Sequence, residues 1–169
     1  MFLFILFLLP EQNQNYSEYL KMYVMKKMMT TLVCIFILVS GYATNDEEQI
    51  KQPVLDAYVN GIQNAGSIEK IEKGFHPCFE LIGIGKDGKT VWKNPIYTWK
   101  EKVEQFKLNN PEGKENPVSC EFDFMDITGK ACVAKIRLYR EGKHIFTDYL
   151  SLYKFENGWR IVSKIYNRH

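Results

Sequence analysis

The chain is poor in the residues that most readily announce chemistry. It holds three histidines and four cysteines in 169 residues, with no CxxC pair and no Cys/His cluster, so no metal site is expected. A phosphate-cradling loop is missing, because Gly83-Ile84-Gly85 lacks both the third glycine and the following helix. No nucleophile elbow frames a serine. Excess charge of one sign is also missing. The formal net charge is +2, the charges are interspersed, and there is no basic stripe of the kind nucleic-acid binding requires. That excess is too small to argue for a membrane surface. No apolar run reaches the roughly 18 residues a spanning helix wants. Internal repeats and low-complexity tracts are absent. No cofactor is expected.

What is present begins with an export pattern. Met1 to Leu9 is apolar but has no basic residue beside Met1, and a start at Met25 is favoured. Met25-Lys26-Lys27 is a short basic opening, Leu32 to Val39 is nearly unbroken apolar sequence, and Gly41 and Ala43 stand at the −3 and −1 positions of a cleavage site. The expected organisation is an upstream extension and signal peptide over residues 1–43 and one domain over 44–169. The product would be periplasmic or secreted, with no stable membrane span after cleavage. No cysteine follows the apolar run to carry a lipid anchor. Cys78, Cys120 and Cys132 then remain, and an odd count leaves at least one free thiol.

In the domain, Ile50, Val54, Tyr58 and Ile62 recur at helical spacing, with Pro53 either marking a first turn or kinking the helix. Ser67 can cap a second, short helix ending at Gly74. Phe79 to Ile84 reads as a strand and Val91-Trp92 as a short extended piece. Asn94 and Pro95 predict a capped helix start, with Ile96, Trp99, Val103 and Phe106 on one face. The rest reads as hairpins. A three-residue loop at Ile127-Thr128-Gly129 pairs Phe124 with Cys132 and Cys120 with Ile136. Cys120 then lies about 13 Å from Cys132, too far for a disulfide. A three-residue loop around Glu141-Gly142 and a two-residue Asn157-Gly158 turn follow.

This register gives an inner face of Cys120, Phe122, Phe124, Cys132, Ala134, Ile136, Leu138, Phe146, Asp148, Leu150, Leu152, Trp159, Ile161, Ser163 and Ile165. Asp148 is its main interruption. An acid on an apolar face is costly unless something useful surrounds it, which points to a ligand cavity. The opposite face carries Tyr139, Ile145, Thr147, Tyr149, Tyr153, Val162 and Tyr166. Such an aromatic outer face predicts a homodimer through the sheet.

The order helix, helix, strand, helix and long antiparallel sheet resembles the nuclear transport factor 2-like superfamily. The residues that carry the resemblance are Tyr58, Phe75-His76-Pro77 with Phe79, Trp92, Pro95 to Trp99, Thr147 to Leu152 and Gly158 to Val162. Within it the chain is similar to the branch labelled "putative lumazine-binding", over about Glu47 to His169. The resemblance implies an α+β, cystatin-like cone, with N-terminal helices packed on the concave face of a curved, mostly antiparallel sheet. It also implies a pocket between the two. It implies no single activity, since relatives include ketosteroid isomerases, polyketide cyclases and plain binding modules. Where related chains often carry a carboxylate after His-Pro, this one has Cys78.

The candidate catalytic residues are Asp148, as a base or a ligand acceptor, and His76, as a proton shuttle or a turn-fixing group. Tyr58, Trp92, Tyr97, Cys120, Phe122 and Trp159 are the candidate ligand-binding residues. Three functions are compatible with this pattern. They are an exported domain binding a small, partly aromatic molecule, a cofactor-independent isomerase or cyclase using Asp148 as base, and an interaction module with a vestigial pocket.

Overall fold

Asn45 opens the first helix of the domain by accepting from the Glu47 N–H at 3.3 Å. That helix, α1 (Asp46–Pro53), runs into Pro53, which brings no N–H to the helical ladder. The winding changes there, and α2 (Val54–Gln63) is π-helical, with Val54, Ala57, Tyr58, Val59 and Ile62 buried. At its end the Asn64 amide clamps the backbone of one residue, Val118. Nδ2 donates to Val118 O at 2.9 Å and Oδ1 accepts from Val118 N–H at 2.7 Å. Ser67 Oγ caps α3 (Ile68–Gly74) by accepting from Lys70 N–H.

These observations come from a computed structural model that describes residues 18–29 and 45–169. The chain divides into Met1–Thr44 and Asn45–His169. In the first unit, residues 18–29 are helical, with Lys21 paired to Glu18. The apolar runs at residues 1–9 and 32–39 and the expected cleavage site at Ala43 lie outside the described residues. Among the described residues, no helix is long and apolar enough to cross a membrane.

The remaining elements are β1 (Phe75–Ile84), β2 (Val91–Pro95), α4 (Ile96–Asn109), β3 (Val118–Thr128), β4 (Ala131–Arg140), β5 (Lys143–Phe155) and β6 (Gly158–Arg168). They form one open sheet in the order β2-β1-β6-β5-β4-β3. Every pairing is antiparallel except β1 with β6. The helices cover one face of this α+β architecture, and Tyr58, Phe75, Phe79, Ile136, Leu150 and Ile161 are fully buried between the layers.

Several local expectations are corrected. Asn94 and Pro95 belong to β2, opposite Leu81 and Glu80, and α4 starts at Ile96 without a side-chain cap. The β4–β5 loop has two residues, Glu141 and Gly142, both at positive φ (51° and 74°), the geometry of a tight hairpin turn. The β5–β6 turn is Glu156-Asn157, so Gly158 pairs with Phe155. The β3–β4 turn is Gly129-Lys130, which pairs Thr128 with Ala131. Cys120 faces Leu138 and Cys132 faces Ile127, and both thiols are free.

Three bulges reset the alternation, at Asp123 in β3, Ile145 in β5 and Val162 in β6. Each inserts one residue, which bends the strand and reverses the face of everything beyond it. Met125 and Ile127 therefore turn toward the core, while Phe124 is exposed. Lys164 and Tyr166 face inward in place of Ser163 and Ile165, and Ile165 is exposed.

The helices approach each other most tightly at Gly74. A Cβ there would stand 2.3 Å from Ala57 Cβ and 3.3 Å from Pro53 O. Gly74→Ala should therefore destabilise the domain by about 1–3 kcal/mol, read as a lower urea midpoint at unchanged slope. An unshifted midpoint would mean the two helices can part without loss.

Candidate functional site

The inward alternation of β5 aims Asp148 into the core, between Ile136 of β4 and Tyr166 of β6. Above it lies α2. Tyr58 Oη donates to Asp148 Oδ2 at 2.5 Å. From β6, Lys164 Nζ donates to Tyr58 Oη at 2.5 Å and stands 2.9 Å from Asp148 Oδ1. Gln63 Nε2 donates to the same hydroxyl at 2.9 Å. The tyrosine oxygen thus accepts twice and donates once. Asp148 Oδ1 is paired with the ammonium and, among the described residues, has no other hydrogen-bonding partner. The π winding matters here. In an α-helix, residues five apart stand about 140° apart around the axis. The wider i→i+5 winding brings Gln63 back over Tyr58.

Both charged groups are buried, Asp148 at 0% and Lys164 at 4% exposure. Two charges so enclosed are weak evidence for stability, because desolvation offsets their attraction. Burial pushes the Asp148 carboxyl above its ordinary value, with Lys164 and Tyr58 pulling it part of the way back. It pulls the Lys164 amine down, against the opposing charge of Asp148. Both shifts favour the neutral pair. Burial, and then the charge of Asp148, push the Tyr58 hydroxyl well up. The Cys120 thiol is pushed up to about 12 by burial first and Asp148 second, so it is not a thiolate nucleophile.

Rings enclose the amine. Lys164 Nζ lies 4.8 Å from the Tyr58 centroid, 5.0 Å from Tyr166, 5.6 Å from Trp99 and 5.8 Å from Phe146. Tyr58 is fully buried. Trp99, Phe146 and Tyr166 are half-buried, as are Cys120 and Phe122 of β3. The arrangement is a buried cluster of acid, amine and hydroxyl beside aromatic rings that are only partly covered.

The sequence candidates separate accordingly. Tyr58, Asp148, Cys120 and Phe122 come together, since Phe122 faces Ile136 and Ile136 faces Asp148. Trp92 lies flat against Gly83, with its ring 6.4 Å from Tyr166. Tyr97 is exposed and lines a separate groove of about 450 Å³ with Ile71, Phe75 and Lys100. His76 and Trp159 lie elsewhere. His76 Nδ1 accepts from the Cys78 N–H, and its ring stacks on Phe155 at 4.8 Å. Trp159 pairs with Lys154 and points its indole N–H at Asp46. Phe155 is seven residues along β5 from Asp148, roughly 23 Å at strand rise. His76 stands in β1, and its contacts are with the Cys78 N–H and the Phe155 ring. The sequence pattern singles out neither Lys164 nor Gln63, and it places Trp99 on the packed face of α4. A lysine two residues from the chain's last aromatic was the available signal, and the Val162 bulge hid it.

The raised carboxyl gives a testable sign. Folded Asp148 keeps a proton that the unfolded chain has released, so its contribution is fully present below the ordinary value of 3.8 and is lost as pH rises through the folded value. Against Asp148→Asn, the wild type should gain relative unfolding free energy between about pH 7 and about pH 4. Paired denaturation curves measure this, and a constant difference would show an unshifted carboxyl.

A family model described as "Putative lumazine-binding" matches residues 45–167. An NTF2-like protein of unknown function from Shewanella baltica OS155 is 25% identical, with 73% of this chain and 93% of that one covered and a TM-score of 0.55. An NTF-2 like protein of unknown function from Silicibacter pomeroyi DSS-3 is 19% identical, with 75% and 100% covered and a TM-score of 0.57. A domain with a cystatin-like fold from Nostoc punctiforme PCC 73102 is 17% identical, with 75% and 79% covered and a TM-score of 0.51. No curated protein matches the chain. With the family match running across nearly all of the cone, the chain belongs to the nuclear transport factor 2-like superfamily, in its lumazine-binding branch.

Proposed function

We propose that the cone binds a small planar heterocycle over the Asp148–Lys164–Tyr58 cluster. One observation carries this reading. A buried carboxylate oxygen paired with a buried amine, and with no other partner among the described residues, sits by half-covered aromatic rings. A lumazine-type ring has the complementary edge, an imide N–H flanked by carbonyls. Asp148 Oδ1 would accept from the N–H, the Lys164 amine would donate to a carbonyl, and Trp99, Phe146 and Tyr166 would stack on the ring faces. The family description supports the same class. Export to the periplasm or medium is part of this proposal, on the basic start and small-residue cleavage pattern of residues 25–43.

An isomerase or cyclase with Asp148 as base is the second reading. The raised carboxyl favours it, and so does the adjoining Tyr58 hydroxyl, a group able to donate to a developing oxyanion. Binding comes first because the family description names a bound ligand and no reaction.

Calorimetric titration with lumazine should give one site per chain, and Lys164→Met should weaken it at least about tenfold, ~1.4 kcal/mol. Native mass spectrometry of protein purified from its own host adds the retained molecule. Absence of any bound species in both would leave the vestigial-pocket reading.

The convex face carries a dimer in the same proposal. Val133, Tyr149, Tyr153 and Ile165 are exposed side by side on β4, β5 and β6. Light scattering should give twice the chain mass, falling to one chain in a Tyr149→Lys, Ile165→Lys double variant. A wild-type monomer at high concentration would remove the dimer.

A further inference from the structure

We propose that Lys164 captures an aromatic aldehyde or ketone as a covalent imine within the cone. The inference rests on the binding reading above, adds a carbonyl compound to the ligands of that site, and names the bond.

Three features of the geometry carry it. First, the Val162 bulge places a primary amine on the inner face, where strand alternation alone would put a serine. Second, the amine pairs with the Asp148 carboxylate at 2.9 Å and also hydrogen-bonds to the Tyr58 hydroxyl at 2.5 Å, so it touches both a proton acceptor and a group that passes protons. Third, four rings within 5.8 Å keep water from the nitrogen. Such desolvation activates a lysine toward carbonyls and slows hydrolysis of the product.

The proton count closes. Lys164 passes a proton to Asp148, and its lone pair forms the C–N bond as the carbonyl π bond opens onto oxygen. Tyr58 protonates that oxygen and is reprotonated by Asp148. The nitrogen returns a proton to Asp148. Asp148, again through Tyr58, protonates the carbinol oxygen, which leaves as water while nitrogen closes the C=N bond. Amine and carbonyl become a protonated imine and water, and the Asp148 carboxylate is regenerated beside the new cation.

The test is reductive trapping of the full chain with limiting benzaldehyde and cyanoborohydride, followed by intact mass and peptide mapping. One benzyl group should appear on Lys164 at least about tenfold faster than on exposed lysines such as Lys86 or Lys89, as a desolvated amine requires. Lys164→Arg should remove that adduct and leave the surface ones. The comparison within the wild type needs no variant, so a misfolded Lys164→Arg would not rescue or sink the idea. Labelling confined to surface lysines overturns the imine. If lumazine still binds in that case, the binding reading stands without covalent capture. If neither occurs, both fall.

Discussion

The contact between Asp148, Lys164 and Tyr58 constrains the rest of the cone. One carboxylate and one amine are both withdrawn from water, and each is tolerable only while the other and the hydroxyl stay in place. The backbone features around them serve that placement. β5 must keep strict alternation through Asp148, β6 must gain one residue before Lys164, and α2 must cross above both with Tyr58 pointing down. Hydrophobic packing alone would be met by many registers. The ionic group accepts very few, which is how a polar interruption specifies a unique arrangement.

The same contact sets what the interior presents, because in the folded state the Asp148 carboxylate already accepts from Tyr58 on one oxygen. Its other oxygen faces only the amine. The free hydrogen-bonding capacity is therefore one acceptor position, beside a donor. In the proposed function that edge would take an adjacent N–H and C=O, and the half-buried rings above it would take a flat molecule.

Much of this was legible in the sequence, for identifiable reasons. Alternation through Phe146, Asp148, Leu150 and Leu152 points the acid inward because no bulge intervenes within that run. Ser67 and Gly74 bound α3 because a side-chain cap is local chemistry. Lys164 was hidden because Val162 bulges, and a bulge is set by how a whole sheet bends rather than by the residue that occupies it. Phe124 was misplaced for the same reason, by Asp123, whose carboxylate spends its charge on Lys135 and Arg137. His76 and Trp159 share the distinctive residues of the fold but stand at the far end of β5, a distance that spacing along the chain does not express.

The wide winding of α2 has a consequence for how such a cone can evolve. A π-helical turn is in effect an α-helix carrying one surplus residue, and here the surplus sets the angle between Tyr58 and Gln63. The interior is thereby tuned by chain length as well as by side-chain identity. Deleting a single position between Pro53 and Tyr58 would turn the tyrosine relative to α1 and away from Asp148, while leaving every interior side chain chemically unaltered. Homologues that differ by one residue in this helix are thus candidates for altered selectivity, even where their pocket residues are identical.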